Sequence, residues 1–167
     1  MREMTKENLK NAFAGESQAH MKYLAFAQQA EREGKTNTAR LFKAIAFAEQ
    51  VHAINHLKAL GQVVKTADNL QAAINGENFE VDEMYPAYDA VAELQEEKNA
   101  KKSFYYAIEA EKIHSVMYSE ASEKVLKGED ISDEAIFVCP VCGHTIKKEA
   151  PEKCPICNLP KDKYVKF

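Results

Sequence analysis

The chain has 167 residues, 46% hydrophobic and 29% charged, and a formal net charge of −4. Those figures fit a globular protein of one or two domains and exclude a disordered tail or a collagen-like fibre. No run of about 18 apolar residues occurs, and the opening MREMTKENLK lacks the apolar core of a secretory signal, so we expect a cytoplasmic protein with no membrane partner.

Composition changes sharply along the chain. All four cysteines and four of the five prolines fall in residues 139–167, which carry six Lys against three acidic residues; residues 1–138 carry 16 basic and 23 acidic side chains. A basic appendage on an acidic body predicts mutual attraction within or between chains, and so acidic a protein is a poor match for nucleic acid. We divide the chain into a helical body (1–126), a polar linker (127–137) and a cysteine module (138–167).

In the first predicted helix Leu9, Phe13, Glu16, His20, Tyr23, Ala27 and Ala30 succeed one another at alternating steps of four and three and share one face, ending at Gly34. The second carries Phe42, Ile45, Glu49, His52, His56 and Ala59 up to Gly61. A third, from about Asp68 to Lys98, aligns Glu80, Met84, Ala87, Val91 and Leu94, with Pro86 expected to bend it. The fourth aligns Phe104, Ile108, Glu111, Ser115, Tyr118, Ser122 and Val125 before Gly128. Four amphipathic helices of this length predict an all-α four-helix bundle. Shifting the second helix by 62 positions superposes Phe42 on Phe104, Glu49 on Glu111 and His52 on His114, so the halves read as copies of one helical hairpin.

Glu16, Glu49, Glu80 and Glu111, one per helix, interrupt otherwise apolar stripes. Ionised carboxylates in a bundle interior cost several kcal/mol each unless a cation compensates. Glu49-Gln-Val-His52 and Glu111-Lys-Ile-His114 each add an imidazole one turn away, and Glu83 lies one turn from Glu80. Two glutamates plus two Glu-x-x-His pairs make the donor set of ferritin-like di-metal carboxylate bundles, and oxygen and nitrogen donors without sulfur suit iron or manganese. His20 and His56 read as polar groups at the edge of the site; Tyr23, Tyr85 and Tyr88 read as core tyrosines, Tyr23 within reach of a carboxylate.

Cys139-Pro-Val-Cys142-Gly and Cys154-Pro-Ile-Cys157 are two knuckles able to aim four sulfurs at one ion. So short a module cannot bury enough apolar surface to fold alone, so the metal holds it together. The sulfurs alone do not choose between zinc and iron; a redox-active di-metal site on the same chain needs an electron source, which favours iron.

With these motifs in place the chain closely resembles the rubrerythrins across nearly its whole length. The match is carried by Asn11-Ala-Phe-Ala-Gly-Glu16-Ser-Gln-Ala, Ala48-Glu-Gln-Val-His52, Asn69-Leu-Gln-Ala-Ala-Ile-Asn-Gly-Glu-Asn-Phe-Glu80, Glu83-Met-Tyr-Pro86, Glu111-Lys-Ile-His114 and the knuckles. The resemblance implies a ferritin-like bundle holding two iron ions, a rubredoxin-like Fe(Cys)4 domain, and hydrogen peroxide reduction with electrons from a rubredoxin or an NAD(P)H-dependent reductase. It assigns the di-iron ligands to Glu16, Glu49, His52, Glu80, Glu83, Glu111 and His114, with Cys139, Cys142, Cys154 and Cys157 on the third iron, zinc being the alternative as isolated. Charge balance predicts that Glu83 gives way to His52 on reduction. We expect a homodimer, head-to-tail or with exchanged halves. His144 stands where an aromatic residue is more usual, a departure that bears on the potential of the thiolate iron. The rival functions are a ferroxidase or iron-storage bundle, and a structural protein with a zinc knuckle.

Overall fold

The computed structural model describes all 167 residues, which divide into two compact units, Met1–Val64 and Lys65–Phe167. The contact boundary therefore falls after the second helix, and the cysteine module shares a unit with the helices that precede it.

The first unit is a hairpin of α1 (Glu3–Arg32) and α2 (Thr36–Ala59). Its turn is a Schellman cap: the Lys35 N–H bonds the Ala30 carbonyl at 2.7 Å and the Gly34 N–H bonds Glu31 at 2.9 Å, with Gly34 at φ +72°. The seam is lined with alanine, Ala27, Ala30, Ala39, Ala46 and Ala53 all being buried, and at one end Tyr23, Phe26 and Phe42 pack with centroids 5.6–6.2 Å apart. Two helices offer one seam, so small residues fill it while larger stripe residues such as Ile45 (42%) remain exposed.

In the second unit the expected third helix is not continuous. α3 (Thr66–Phe79) passes into a π turn at Glu80–Met84 and then α4 (Tyr85–Leu94), with Pro86 in the first turn of α4. Pro86 has no N–H and crowds the carbonyl four residues back, so the wider turn accommodates it. α4 ends in the same cap as α1, with the Glu97 N–H on the Ala92 carbonyl at 2.9 Å, but the left-handed position is taken by Glu96 at φ +58°. α5 (Lys98–Leu126) packs against α3 and α4.

The module is a three-stranded antiparallel sheet in the order β2-β1-β3: β1 (Ile136–Val138) pairs Phe137 with Ile146 of β2 (Thr145–Lys147) and with Lys166 of β3 (Val165–Lys166). It sits on α5. Gly143, at φ +80°, comes so close that a Cβ there would meet the Ala110 Cβ at 3.4 Å, and Tyr106 packs against the cysteines. One ion pair, Lys147 to Glu120 (2.6 Å), links the module to α5.

Candidate metal centres

Three groups of metal-ligating side chains converge, each with its donor atoms within 4.8 Å of one another: Glu16, Glu49 and His52; Glu77, Glu111 and His114; and the four cysteines.

The first cluster joins the two helices of the hairpin. His52 Nδ1 lies 3.0 Å from Glu49 Oε2 and 4.0 Å from Glu16 Oε1. One turn away, the His20 Nδ1–H donates to the Ala46 carbonyl at 2.7 Å, tying α1 to α2 beside the ligands.

The second cluster joins α3 to α5. His114 Nδ1 lies 2.6 Å from Glu111 Oε2 and 4.0 Å from Glu77 Oε2. Its other nitrogen, Nε2, lies 2.9 Å from Thr145 Oγ1. The Thr145 hydroxyl spends its proton on the Gly143 carbonyl (2.9 Å), so it accepts from Nε2–H, and a neutral ring then presents a lone pair at Nδ1. With a metal bound, that lone pair would turn to it beside the two carboxylates; without one, Nδ1 lies at hydrogen-bond distance from Glu111, and a charged ring is the one cation facing three glutamates. Glu77 Oε2 is buried without a hydrogen-bond partner, and burial, with the neighbouring Glu111, pushes the Glu77 carboxyl up to about 8. An orphaned oxygen facing an imidazole lone pair is what a cation would satisfy, so the donor set fits a bound metal ion.

Of the sequence-derived ligands, Glu16, Glu49, His52, Glu111 and His114 are brought into the clusters. Glu80 is half-buried at the start of the π turn; burial and the charge of Glu111 raise its carboxyl while His114 opposes them. Glu83 is exposed and joins neither cluster. Glu77 is the residue that sequence reasoning passed over. Its signal was the Gly15-Glu16 pair repeated as Gly76-Glu77, offset by 61 positions and not 62. Helical periodicity puts Glu77, Glu80 and Glu83 on one face, but a π turn takes more residues per revolution and rotates the residues beyond Glu80 away. Tyr85, just after that turn, has its hydroxyl pKa raised by burial and by the charges of Glu80, Glu111 and Glu77, which places it against the second cluster.

The cysteine knuckles are near copies. Gly143 N–H bonds the Cys139 carbonyl (3.0 Å) as Asn158 N–H bonds that of Cys154 (2.9 Å); Cys139 N–H bonds the His144 carbonyl (2.9 Å) as Cys154 N–H bonds that of Leu159 (2.8 Å). The Cys139–Cys157 and Cys142–Cys154 sulfurs are 3.4 Å apart, close to the edge of about 3.8 Å for a tetrahedron of roughly 2.3 Å metal–sulfur bonds. Burial raises the Cys142 and Cys157 thiols; Cys154 is also buried, yet the Tyr164 hydroxyl and the N–H groups of Cys157 and Ile156 bring it down to about 6. Burial pushes the His144 imidazole down.

Comparison with known proteins agrees with this geometry. Residues 7–122 match the rubrerythrin family model and residues 137–165 the rubrerythrin rubredoxin-like domain. The chain is 44% identical to Rubrerythrin-2 of Clostridium acetobutylicum, covering 98% of this chain and 97% of that protein, and 36% identical to nigerythrin of Nitratidesulfovibrio vulgaris, covering 98% and 86%. Among solved structures, the partially reduced state of nigerythrin is similar at a TM-score of 0.59 and 35% identity, covering 98% of this chain and 86% of that one.

Proposed function

We propose, since the chain belongs to the rubrerythrin family and has its ferritin-like helical fold, that it is a non-haem di-iron peroxidase reducing hydrogen peroxide to water in cytoplasmic oxidative-stress defence. The observation that carries this reading is the pairing, in the second unit, of a carboxylate–histidine cluster with a four-thiolate site through the His114–Thr145 hydrogen bond. The family binds iron, and a solved nigerythrin is described as fully reduced and all ferrous.

Glu16, Glu49 and His52 would hold one iron in the first unit and Glu77, Glu111 and His114 another in the second, with Glu80 as a further carboxylate there and the cysteines on the third ion. Bound iron supplies a Lewis acid and one electron per ion to the O–O bond. Glu77 gives up its proton on loading. Tyr85, its hydroxyl pKa raised by burial and by the charges of Glu80, Glu111 and Glu77, keeps its proton beside them. Thr145 fixes the His114 ring and joins it to the loop that bears Cys142. Electrons enter from a rubredoxin-type donor or an NAD(P)H-dependent reductase. A homodimer, head-to-tail or with exchanged halves, goes with this reading.

The test is an anaerobic reaction of the reduced, full-length protein with hydrogen peroxide. Stoichiometric return of a ferric–thiolate colour, and turnover when a reductase is added, are expected. A mineral core formed under dioxygen without peroxide turnover would make it an iron-storage bundle, and a colourless, zinc-filled thiolate site would remove the relay.

A further inference from the structure

The two cysteine knuckles are near copies that α5 makes unequal. Gly143 and Asn158 hold the same left-handed place, at φ +80° and +64°, each just after the second cysteine of its knuckle. At Gly143 a Cβ would meet the Ala110 Cβ of α5 at 3.4 Å, and two residues on Thr145 is bonded to His114. Asn158 carries a whole side chain in the same position and is exposed. The cysteines follow suit: Cys139, Cys142 and Cys154 are 1%, 6% and 0% exposed, and Cys157 alone is half-buried. The first knuckle faces inward, to the helix bearing His114, and the second faces outward.

Charge singles out the second knuckle as well. Lys147 and Lys148 pair with Glu120 and Glu134, Lys161 with Glu149 and Glu152, and Lys163 with Asp162. Lys153 has no such partner; it lies directly before Cys154 and bridges Pro160 across the base of the knuckle. Exposed Pro155 and Asn158 and half-buried Ile156 adjoin Cys157 in the chain. The outward end of the module is therefore a small, mostly apolar tip with an uncompensated cation at its base.

We propose that the second knuckle is where electrons enter, a docking surface centred on Cys157 and Lys153 for an acidic one-electron carrier protein. The step moves one electron: the carrier loses it as the thiolate iron passes from ferric to ferrous, and no bond is made or broken. An electron added to such a site spreads onto its sulfurs. Tunnelling weakens steeply with distance, so a carrier seated over Cys157 has the least protein to cross. The unpaired lysine draws an acidic partner to that end of the module, chiefly by raising the association rate. Entry and delivery are thereby divided between the two knuckles.

The inference rests on the reading that the site holds iron, and the experiment separates the two. Full-length protein and its variants are loaded with iron and iron is quantified. Reduction by flavodoxin hydroquinone, an acidic flavin carrier, is then followed anaerobically by stopped flow on the loss of the ferric–thiolate absorption. Lys153→Glu is expected to lower the second-order rate about three- to tenfold at low salt, the deficit shrinking as salt is raised, while spectrum and iron content stay as in wild type. Lys166→Glu, on edge strand β3, makes the same change in net charge, and Val141→Glu puts an acid on the exposed tip of the first knuckle. Both are expected to stay within about twofold of wild type. Lys153→Glu at the wild-type rate, all three slowed alike, or a wild-type rate that salt does not lower overturns the proposal. So does a changed oligomeric state of Lys153→Glu at an unaltered rate, which would give the surface to a second copy of the chain. If Lys153→Glu fails to hold iron, Lys153→Gln decides by the same rate, with a fall of about two- to threefold expected. A wild-type site that takes no iron refutes the functional reading instead.

Discussion

The two carboxylate–histidine clusters share a donor set, two glutamates and an imidazole presented through Nδ1, yet their histidines stand in different company. The His52 side chain is 53% exposed and its Nε2 has no hydrogen-bond partner; that of His114 is 27% exposed and is anchored through Nε2 to Thr145. Duplicating a hairpin duplicated the ligands but not their supports. The difference comes from the module on α5, which lends the second cluster a clamp that the first lacks. One histidine is thereby held at both ring nitrogens and the other at Nδ1 alone.

The harshest test of this comparison removes a ligand. Glu77→Gln preserves shape and is expected to weaken iron binding at the second cluster by more than the roughly 10–100-fold that outer hydrogen-bond partners cost, and to abolish peroxide turnover, whereas Glu83→Gln stays within about twofold of wild type. Iron titration against a competing chelator checks both; equal effects of the two substitutions would return Glu83 to the site. Thr145→Val attacks the clamp, and about 10–100-fold weaker iron binding is expected at the second cluster with the first unaffected. If both clusters weaken alike, the asymmetry is not built by Thr145.

A gentler probe uses pH. Glu77 in the metal-free fold titrates near 8, above its ordinary value of 4.5, so the fold binds its proton more tightly than the unfolded chain does. The stability this contributes is fully present below about pH 4.5 and is lost as pH rises through 8. Denaturation midpoints of iron-free protein should therefore fall across that window and Glu77→Gln should flatten the slope, while ferrous iron should release a proton on binding there.

The smallest effect compares the two hairpin ends. Gly34 and Glu96 occupy equivalent left-handed cap positions 62 residues apart. Glu96→Gly is expected to stabilise the protein by about 0.5–1 kcal/mol, relief of strain outweighing the added freedom of the unfolded chain. A raised Tm checks it.

These contrasts also mark what the sequence made legible. Gly34, Gly61 and Gly128 announced helix ends because left-handed caps are local chemistry, and the cysteine knuckles were readable because each Cys-x-x-Cys turn is closed by its own backbone. The interruption at Glu80–Met84 was not, since regular periodicity has no symbol for a π turn, and that turn decides between Glu77 and Glu83. His144 could be singled out, but not its partner: Tyr164 lies 20 residues on and arrives only when the sheet closes. Thr145 and His114 are 31 residues apart and meet only when the module lands on α5.

That landing has a narrow tolerance. Where the first knuckle crosses α5, a Cβ at Gly143 would just touch Ala110, and the backbone there is left-handed. A side chain reaching beyond Cβ would act as a wedge, prising the thiolate knuckle off its seat while leaving all four sulfurs intact. The chain would then keep a coloured, correctly assembled electron carrier that is no longer plugged into anything.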